Sequence, residues 1–375
     1  DFYEMFFEDA KIASRELEIT LTSRDCGLAA RAPMCGVPHH SAEGYIAKLI
    51  EKGYKVAICE QTQDASEAKG LVERGVVRVV TPGTLLESSM LNEKDNNFIL
   101  SIYTDSDGAG LSWADISTGE FNVCNLSKEN GLDTIIDIIS GISPKEVILD
   151  KDGNSIDENL KLYLSGQGLH ITPYSRINFN YKNGYQRLLK HFKVHSLEGF
   201  GCENLGRGIN AAGALIAYLE ETQKSSLSHI TSLKPILLKD SMILDNATRR
   251  NLELVETLRD KRKQGSLLWL MDRTNTSMGG RLLRQWIQNP LTESKAINAR
   301  LDGVEELYSN PISMEEIGRD LKNVYDLERL AARVSYGNAN ARDLISLRDS
   351  LAVLPNIKRS LEIFDSMICN NFYKE

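Results

Sequence analysis

Near the start of the chain, apolar residues recur at spacings of three and four positions, which predicts an amphipathic helix. The residues on this apolar face are Met5, Phe6, Ala10, Ala13 and Leu17. Phe2 and Glu4 lie in the extended segment that leads into the helix, and their spacing places both side chains on the same side of an extended backbone. An outward-facing ring and carboxylate suit stacking on one nucleic-acid base and hydrogen bonding to its neighbour. The alternative is that Phe2 is a core residue and Glu4 a first-turn acid that the helix dipole favours.

The remainder of the first unit alternates between helix and strand patterns. The runs 55–59 and 76–80 are largely apolar, which predicts two buried strands of a small mixed sheet. Two glycines and two prolines between residues 27 and 38 indicate a long loop. Ser41 can cap a following helix that Gly53 ends. Together these patterns predict a compact α/β domain over residues 1–82.

Three short strand patterns follow, over residues 98–103, 110–116 and 119–124. Asp-Gly and Thr-Gly pairs lie between them, where hairpin turns are needed. Helical segments then alternate with short strands, and from about residue 231 nearly every segment has helical periodicity. The pattern predicts a linker over 83–95, an α/β domain over 96–230 and an all-α segment over 231–375.

Composition narrows the class of protein. A chain of 375 residues is too long for one typical core, and its net charge of −8 restricts any phosphate contacts to local basic clusters. The six cysteines form no CxxC pair, which favours reduced thiols and a cytoplasmic protein. No apolar run approaches the length that spans a membrane.

Several long motifs, in a fixed order, then carry a resemblance to a known family. They are DFYE at 1–4, FEDA at 7–10, PMCGVP at 33–38, VAICEQ at 56–61, VVRVVTPGT at 76–84, DISTG at 115–119, DNATRRNLE at 245–253 and DLER at 326–329. This series resembles the MutS family of DNA mismatch-repair proteins, and the match covers essentially the whole chain.

The resemblance implies a fold and a site. The fold is multidomain, with a small α/β mismatch-binding domain, a ribonuclease-H-like α/β connector and the all-α first part of a helical core. By resemblance, Phe2 is an aromatic wedge that enters mispaired or small-loop DNA, and Glu4 hydrogen-bonds a mismatched base. A wedge of this kind selects sites by deformability, because a mispaired base is already partly unstacked.

The resemblance also implies partners. The full protein would be a homodimer on mismatched double-stranded DNA that recruits a MutL-type partner, with ATP and magnesium bound by an ATPase domain outside this chain. The chain has no G-x-x-x-x-G-K-[ST] phosphate-binding loop. We therefore expect no cofactor and no catalysis from this chain, which reads as an N-terminal fragment.

Four further residues of the first unit are candidate DNA contacts. Arg24, Arg74 and Arg78 can each donate bidentately to phosphate, and the alternative for each is an ordinary surface arginine. Met34 is either a groove contact or core. His39 departs from the family pattern, which has tyrosine before His40.

Two rival functions remain open. Acidic residues beside the three strands could hold two metal ions for phosphodiester cleavage, although turn chemistry also explains them. These residues are Asp105, Asp107, Asp115 and Glu120. The other rival is a protein-interaction scaffold with no preference for mismatched DNA.

Two smaller patterns have ordinary explanations. His191 and His195 are four apart and could share a metal on a helix, but no further ligand completes the set nearby. The basic run 259–263 could touch a DNA backbone, and more often such a run is a solvated loop between helices.

Overall fold

The computed structural model describes residues 1–25, 27, 31–63, 72–151, 157–237, 242 and 244–374. We call residues 1–82 the first unit, 83–97 the connecting segment, 98–237 the second unit and 244–374 the third unit. The cysteines in these residues are free thiols, and Cys26 lies outside them. Within the same described residues, no helix is long and apolar enough to cross a membrane.

The first unit contains two small antiparallel sheets and two helices. Its elements are β1 (Phe2–Phe6), α1 (Phe7–Leu17), β2 (Thr22–Arg24), β3 (Ala32–Pro38), α2 (Ala42–Glu51), β4 (Val56–Gln61) and β5 (Arg74–Val80). The strands are ordered β1-β3-β2 in one sheet and β4-β5 in the other. All pairs are antiparallel, so the single mixed sheet expected from the sequence is replaced by two separate ones.

Two local expectations for the first unit were wrong. The helix begins at Phe7, so Met5 and Phe6 belong to β1. The segment expected to be a loop contains β3, the central strand of its sheet. Pro33 and Pro38 lie near the two ends of β3, where a missing backbone N–H disturbs the pairing least.

The second unit has one six-stranded sheet. Its elements are β6 (Ile99–Asp105), β7 (Gly108–Asp115), β8 (Glu120–Ser127), α3 (Gly131–Ile142), β9 (Glu146–Asp150), α4 (Glu158–Gly166), β10 (His170–Tyr174), α5 (Tyr181–Phe192), α6 (Gly206–Gln223) and β11 (Lys234–Pro235). The antiparallel meander β6-β7-β8 and both predicted hairpin turns are confirmed. β11 pairs with β8, so the sheet extends beyond the predicted boundary at residue 230.

The third unit is helical, as predicted. Its helices are α7 (Asn246–Asn251), α8 (Leu267–Met271), α9 (Ser277–Gln288), α10 (Ser294–Ser309), α11 (Pro311–Leu321), α12 (Leu327–Tyr336), α13 (Ala341–Leu361) and α14 (Met367–Lys374). Several apolar side chains of this unit are exposed. On α10, Ile297, Leu301, Val304 and Tyr308 form one exposed stripe at spacings of four, three and four.

The connecting segment is held between the second and third units. Leu85, Leu86 and Leu91 are buried. Near its end, the guanidinium of Arg329 in α12 donates to the carbonyl oxygens of Asn92 and Asp95, at 3.0 and 2.7 Å. The same side chain reaches Ser117 of the second unit at 3.2 Å. The segment is therefore a structured joint between the second and third units.

Candidate nucleic-acid interface

β1 presents Phe2 and Glu4 on the outer face of its sheet. Tyr3 and Met5 point the other way and pack on the small core beneath. The Phe2 side chain is 64% exposed, although apolar residues of this size are usually buried. Because the two residues are two positions apart on a regular strand, the ring and the carboxylate lie next to each other.

Gly36 makes room for this pair. In the β1–β3 register, Glu4 is opposite Gly36 and Phe2 is opposite Pro38. A Cβ atom on Gly36 would lie 3.2 Å from the Tyr3 carbonyl oxygen, 3.6 Å from Phe2 Cδ1 and 3.9 Å from Glu4 Cγ. The absent side chain therefore leaves open the space between the ring and the carboxylate.

Glu4 is paired with Arg24. The Arg24 Nη1 atom donates to Glu4 Oε2 at 2.8 Å. Glu4 lies in β1 and Arg24 in β2, which are the two outer strands of the three-stranded sheet. The ion pair therefore spans the sheet and remains partly open to solvent, with side-chain exposures of 57% for Arg24 and 33% for Glu4.

Tyr3 anchors β1 from below. Its hydroxyl donates to Glu60 of β4, and burial, followed by the neighbouring Glu60 carboxylate, raises the pKa of Tyr3 to about 12. The His39 ring stacks on Tyr3, with centroids 5.2 Å apart. The residue that departs from the family pattern therefore still provides an aromatic contact at this position.

A cleft of about 690 Å³ runs between β1 and β4. Arg74 lines it together with Phe2 and Glu4, and its side chain is exposed. The structure thus brings Arg74 to the same surface as the predicted wedge. Met34 lies in β3 opposite Phe6, half-buried, on the same face of the sheet as Glu4.

Arg78 is placed differently from the expectation. It is only 9% exposed, it forms an ion pair with Glu87, and its Nη2 donates to the Thr84 carbonyl oxygen at 3.0 Å. A buried arginine held in this way is not presented to a phosphate at the surface. The structure therefore gives Arg78 a structural role and removes it from the candidate interface.

The acidic residues of the second unit lie in two separate pairs. Asp115 is opposite Glu120 in the β7–β8 register, and Asn96 Nδ2 donates to both carboxylates, at 3.1 and 3.4 Å. Asp115 is fully buried and accepts from the Asn97 amide at 3.0 Å and the Ser117 hydroxyl at 2.7 Å, which fits turn chemistry. Asp105 and Asp107 bind Arg207 at the other end of the hairpin, roughly 23 Å away at the rise of an extended strand. Among the described residues, no group of three His, Cys, Asp or Glu could hold a metal ion.

The two minor patterns also have structural explanations. α5 ends at Phe192, so His195 is not on the helix that carries His191, and the two rings do not share one helical face. The His191 Nε2 atom lies 2.9 Å from the Ile230 carbonyl oxygen. The basic run 259–263 is an exposed loop between α7 and α8, where Lys263 pairs with Asp272 at 2.7 Å.

The Glu4–Arg24 pair is the feature of this surface that the sequence analysis missed. The two residues are 20 positions apart, and no local pattern connects positions so distant. Their proximity depends on β3 lying between β1 and β2. Prediction of a strand over residues 32–38 would have been needed to place Glu4 near Arg24.

Comparison with known families gives three consecutive matches. Residues 1–89 match the family described as MutS domain I, residues 97–231 match MutS domain II, and residues 247–371 match MutS domain III. These three ranges follow the order of the three units in the structure.

Curated relatives match over almost the whole chain. The protein named DNA mismatch repair protein MutS from Halothermothrix orenii is 50% identical over 378 residues, covering 100% of this chain and 41% of the relative. The proteins of the same name from Alkaliphilus oremlandii and Symbiobacterium thermophilum are each 48% identical, covering 96% of this chain and 41% of the relative. The chain thus spans about two fifths of the length of these relatives.

Proposed function

Because the chain belongs to the MutS family of DNA mismatch-repair proteins, we propose that it recognises mispaired or small-loop double-stranded DNA through Phe2 and Glu4. The observation that carries this proposal is the exposed Phe2 ring beside the Glu4 carboxylate on the outer face of β1. Insertion into a ligand would explain why an apolar ring is exposed to this extent in the free protein.

The wedge acts through the deformability of the DNA. Inserting a ring between base steps unstacks and kinks the duplex, and smooth bending of an ordinary site costs on the order of 1–6 kcal/mol. A mispaired or unpaired base is already partly unstacked, so its site is less costly to deform. Selection by deformability accepts many different mismatches, which a set of specific base contacts does not.

Glu4 supplies the polar half of the site. A carboxylate near phosphates is unfavourable unless a hydrogen bond compensates it. Once the wedge displaces a mispaired base from its partner, that base presents an imino or amino N–H group, and a carboxylate accepts from it. We propose that Arg74, which is exposed on the same cleft, contacts phosphate and that Met34 packs against a groove.

The test is binding of a fluorescent duplex with one G·T mismatch and of its matched twin, followed by anisotropy at one fixed salt concentration. It is run on this chain and on the full-length protein. We expect tighter binding of the mismatch, lost in Phe2→Ala. Phe7→Ala is the matched control, because Phe7 is also an exposed aromatic residue, at 54%, at the start of α1. A preference that survives Phe2→Ala would contradict the wedge.

Family membership supports further proposals for the full-length protein. We propose that it acts as a cytoplasmic homodimer that recruits a MutL-type partner, and that ATP and magnesium bind residues outside the three matched domains. We also propose that the second unit is a ribonuclease-H-like connector, supported by its meander flanked by parallel strands β9 and β10.

The second candidate function is a protein-interaction scaffold. It is favoured by the exposed apolar stripe on α10, where Tyr308 is 80% and Val304 62% exposed. The same anisotropy experiment separates the two candidates, because a scaffold binds both duplexes equally. The acidic residues of the second unit give no comparable support to a nuclease, because among the described residues no group of three could hold a metal ion.

A further inference from the structure

We propose that Arg24 is a specificity-determining residue whose partner depends on the DNA. In the free protein and on a matched duplex it stays paired with Glu4. When a mismatched base takes the Glu4 carboxylate, Arg24 is released and binds a phosphate. This inference rests on the proposed function of Glu4 and adds a second residue to mismatch discrimination.

The geometry supports an exchange of partners. Arg24 Nη1 lies 2.8 Å from Glu4 Oε2, and both side chains are partly exposed. Solvent-exposed ion pairs are weak, because water screens both charges. Such a pair can therefore open when each member gains a replacement partner of comparable strength.

A mismatched duplex offers both replacements. A free N–H group on a mispaired base donates to Glu4, and a phosphate oxygen accepts from the Arg24 guanidinium. The Glu4 carboxylate thereby keeps a hydrogen-bond donor, and the Arg24 guanidinium gains a new anionic partner. A matched base is harder to displace, so its imino N–H group stays in the base pair, and Glu4 gains no such donor and retains Arg24.

The exchange has a consequence that salt titration measures. Each phosphate neutralised by a protein cation steepens the dependence of log K on log salt concentration by about 0.9. Arg24 neutralises a phosphate only on the mismatched duplex. We therefore expect the wild-type slope to be steeper for the mismatch than for the matched duplex by about 0.9.

Three variants test the assignment. In Arg24→Ala we expect the mismatch slope to fall to the matched value. In Glu4→Gln, Arg24 is free on both duplexes, so the matched slope should rise by about 0.9 and the difference again vanish. Arg31→Ala is the matched control, since Arg31 is exposed and its Nη2 donates to the Ser23 carbonyl oxygen at 3.0 Å. In this control the difference between the slopes should remain.

The outcomes separate this inference from the proposed function. A wild type that prefers the mismatch but has equal slopes overturns the role of Arg24 alone, and so does an Arg24→Ala variant that keeps the difference. A wild type with no mismatch preference overturns the proposed function and this inference together. Because both side chains are at the surface, far-UV circular dichroism and a thermal melt should show each variant folded.

Discussion

The Lys55 Nζ atom lies 3.3 Å from the fully buried carboxylate of Glu146 and joins the first unit to the second. Glu146 Oε1 also accepts from Thr172 at 2.6 Å and from Tyr218 at 2.7 Å. Burial alone would raise the pKa of Glu146, but Lys55 and these hydroxyl groups hold it below its usual value. The carboxylate is thus ionised inside the protein, and the first unit supplies its cation.

We expect Lys55→Met to destabilise the protein by about 2 kcal/mol, because the buried Glu146 carboxylate loses the cation that pairs with it. Lys52→Met is the control, since Lys52 pairs at 3.0 Å with Glu16 at the surface and the loss of an exposed pair should cost much less. Urea unfolding followed by tryptophan fluorescence measures both. Equal losses in the two variants would contradict a special role for the Lys55 pair.

A pH effect is expected at His229, where the second and third units meet. Its Nε2 lies 2.9 Å from the Ile116 carbonyl oxygen and its ring centroid 4.7 Å from that of Tyr336. Burial lowers the pKa of His229 to about 4. The unfolded state therefore takes up a proton near pH 6.5 while the folded state does not, so stability is present above pH 6.5 and falls between there and about pH 4.

His229→Phe should remove this dependence. Between pH 7.5 and pH 5 we expect the wild type to lose about 2 kcal/mol more unfolding free energy than the variant. His195→Gln is the control, because His195 is exposed, and it should follow the wild type. Urea unfolding at the two pH values gives the comparison. If His229→Phe kept the wild-type pH dependence, His229 would not be the titrating group.

Gly36→Ala should weaken mismatch preference without unfolding the first unit. The added methyl group would sit 3.2 Å from the Tyr3 carbonyl oxygen, so β1 must shift and carry Phe2 and Glu4 with it. A shift of this kind costs about 1 kcal/mol, or about fivefold in preference. The anisotropy assay with both duplexes measures the change.

The control for that variant is Gly44→Ala in α2. No atom lies within 4 Å of its Cβ position, and alanine favours a helix over glycine by roughly 0.5–1 kcal/mol. It should therefore raise stability and leave the preference unchanged. An unaltered preference in Gly36→Ala would mean that the spacing of the outer face is unimportant.

Substitution of Arg78 should affect stability, whereas substitution of Arg74 should affect DNA binding. Arg78→Met should cost about 2 kcal/mol of stability, because Glu87 loses its ion pair and the Thr84 carbonyl its donor. Arg74→Ala should leave stability unchanged and lower the salt slope by about 0.9 on both duplexes. Urea unfolding and salt titration of both variants check the assignment. The reverse result would restore Arg78 to the interface.

The sequence was most informative where the physical signal is local. The meander β6-β7-β8 follows from strand patterns bounded by turn residues, and the predicted strand ends lie within one to three residues of the observed ones. The sequence was least informative where a side chain's role depends on a distant neighbour. The sequence around Arg78 is compatible with a surface cation, whereas in the folded chain Arg78 forms an ion pair with Glu87. Strand alternation predicted that Phe2 and Glu4 share one side of the backbone. That this side faces outward, and that Arg24 is the partner of Glu4, required the folded sheet.

The contacts of Arg329 with the connecting segment limit which sequence changes this part of the chain can accept. Arg329 binds the connecting segment through the main-chain oxygens of Asn92 and Asp95, which every amino acid provides. Substitutions at these two positions therefore leave those acceptors in place, whereas a lysine at position 329 cannot reproduce the planar fork that reaches them. For this contact alone, relatives should therefore need the arginine at position 329 but no particular side chain at positions 92 and 95.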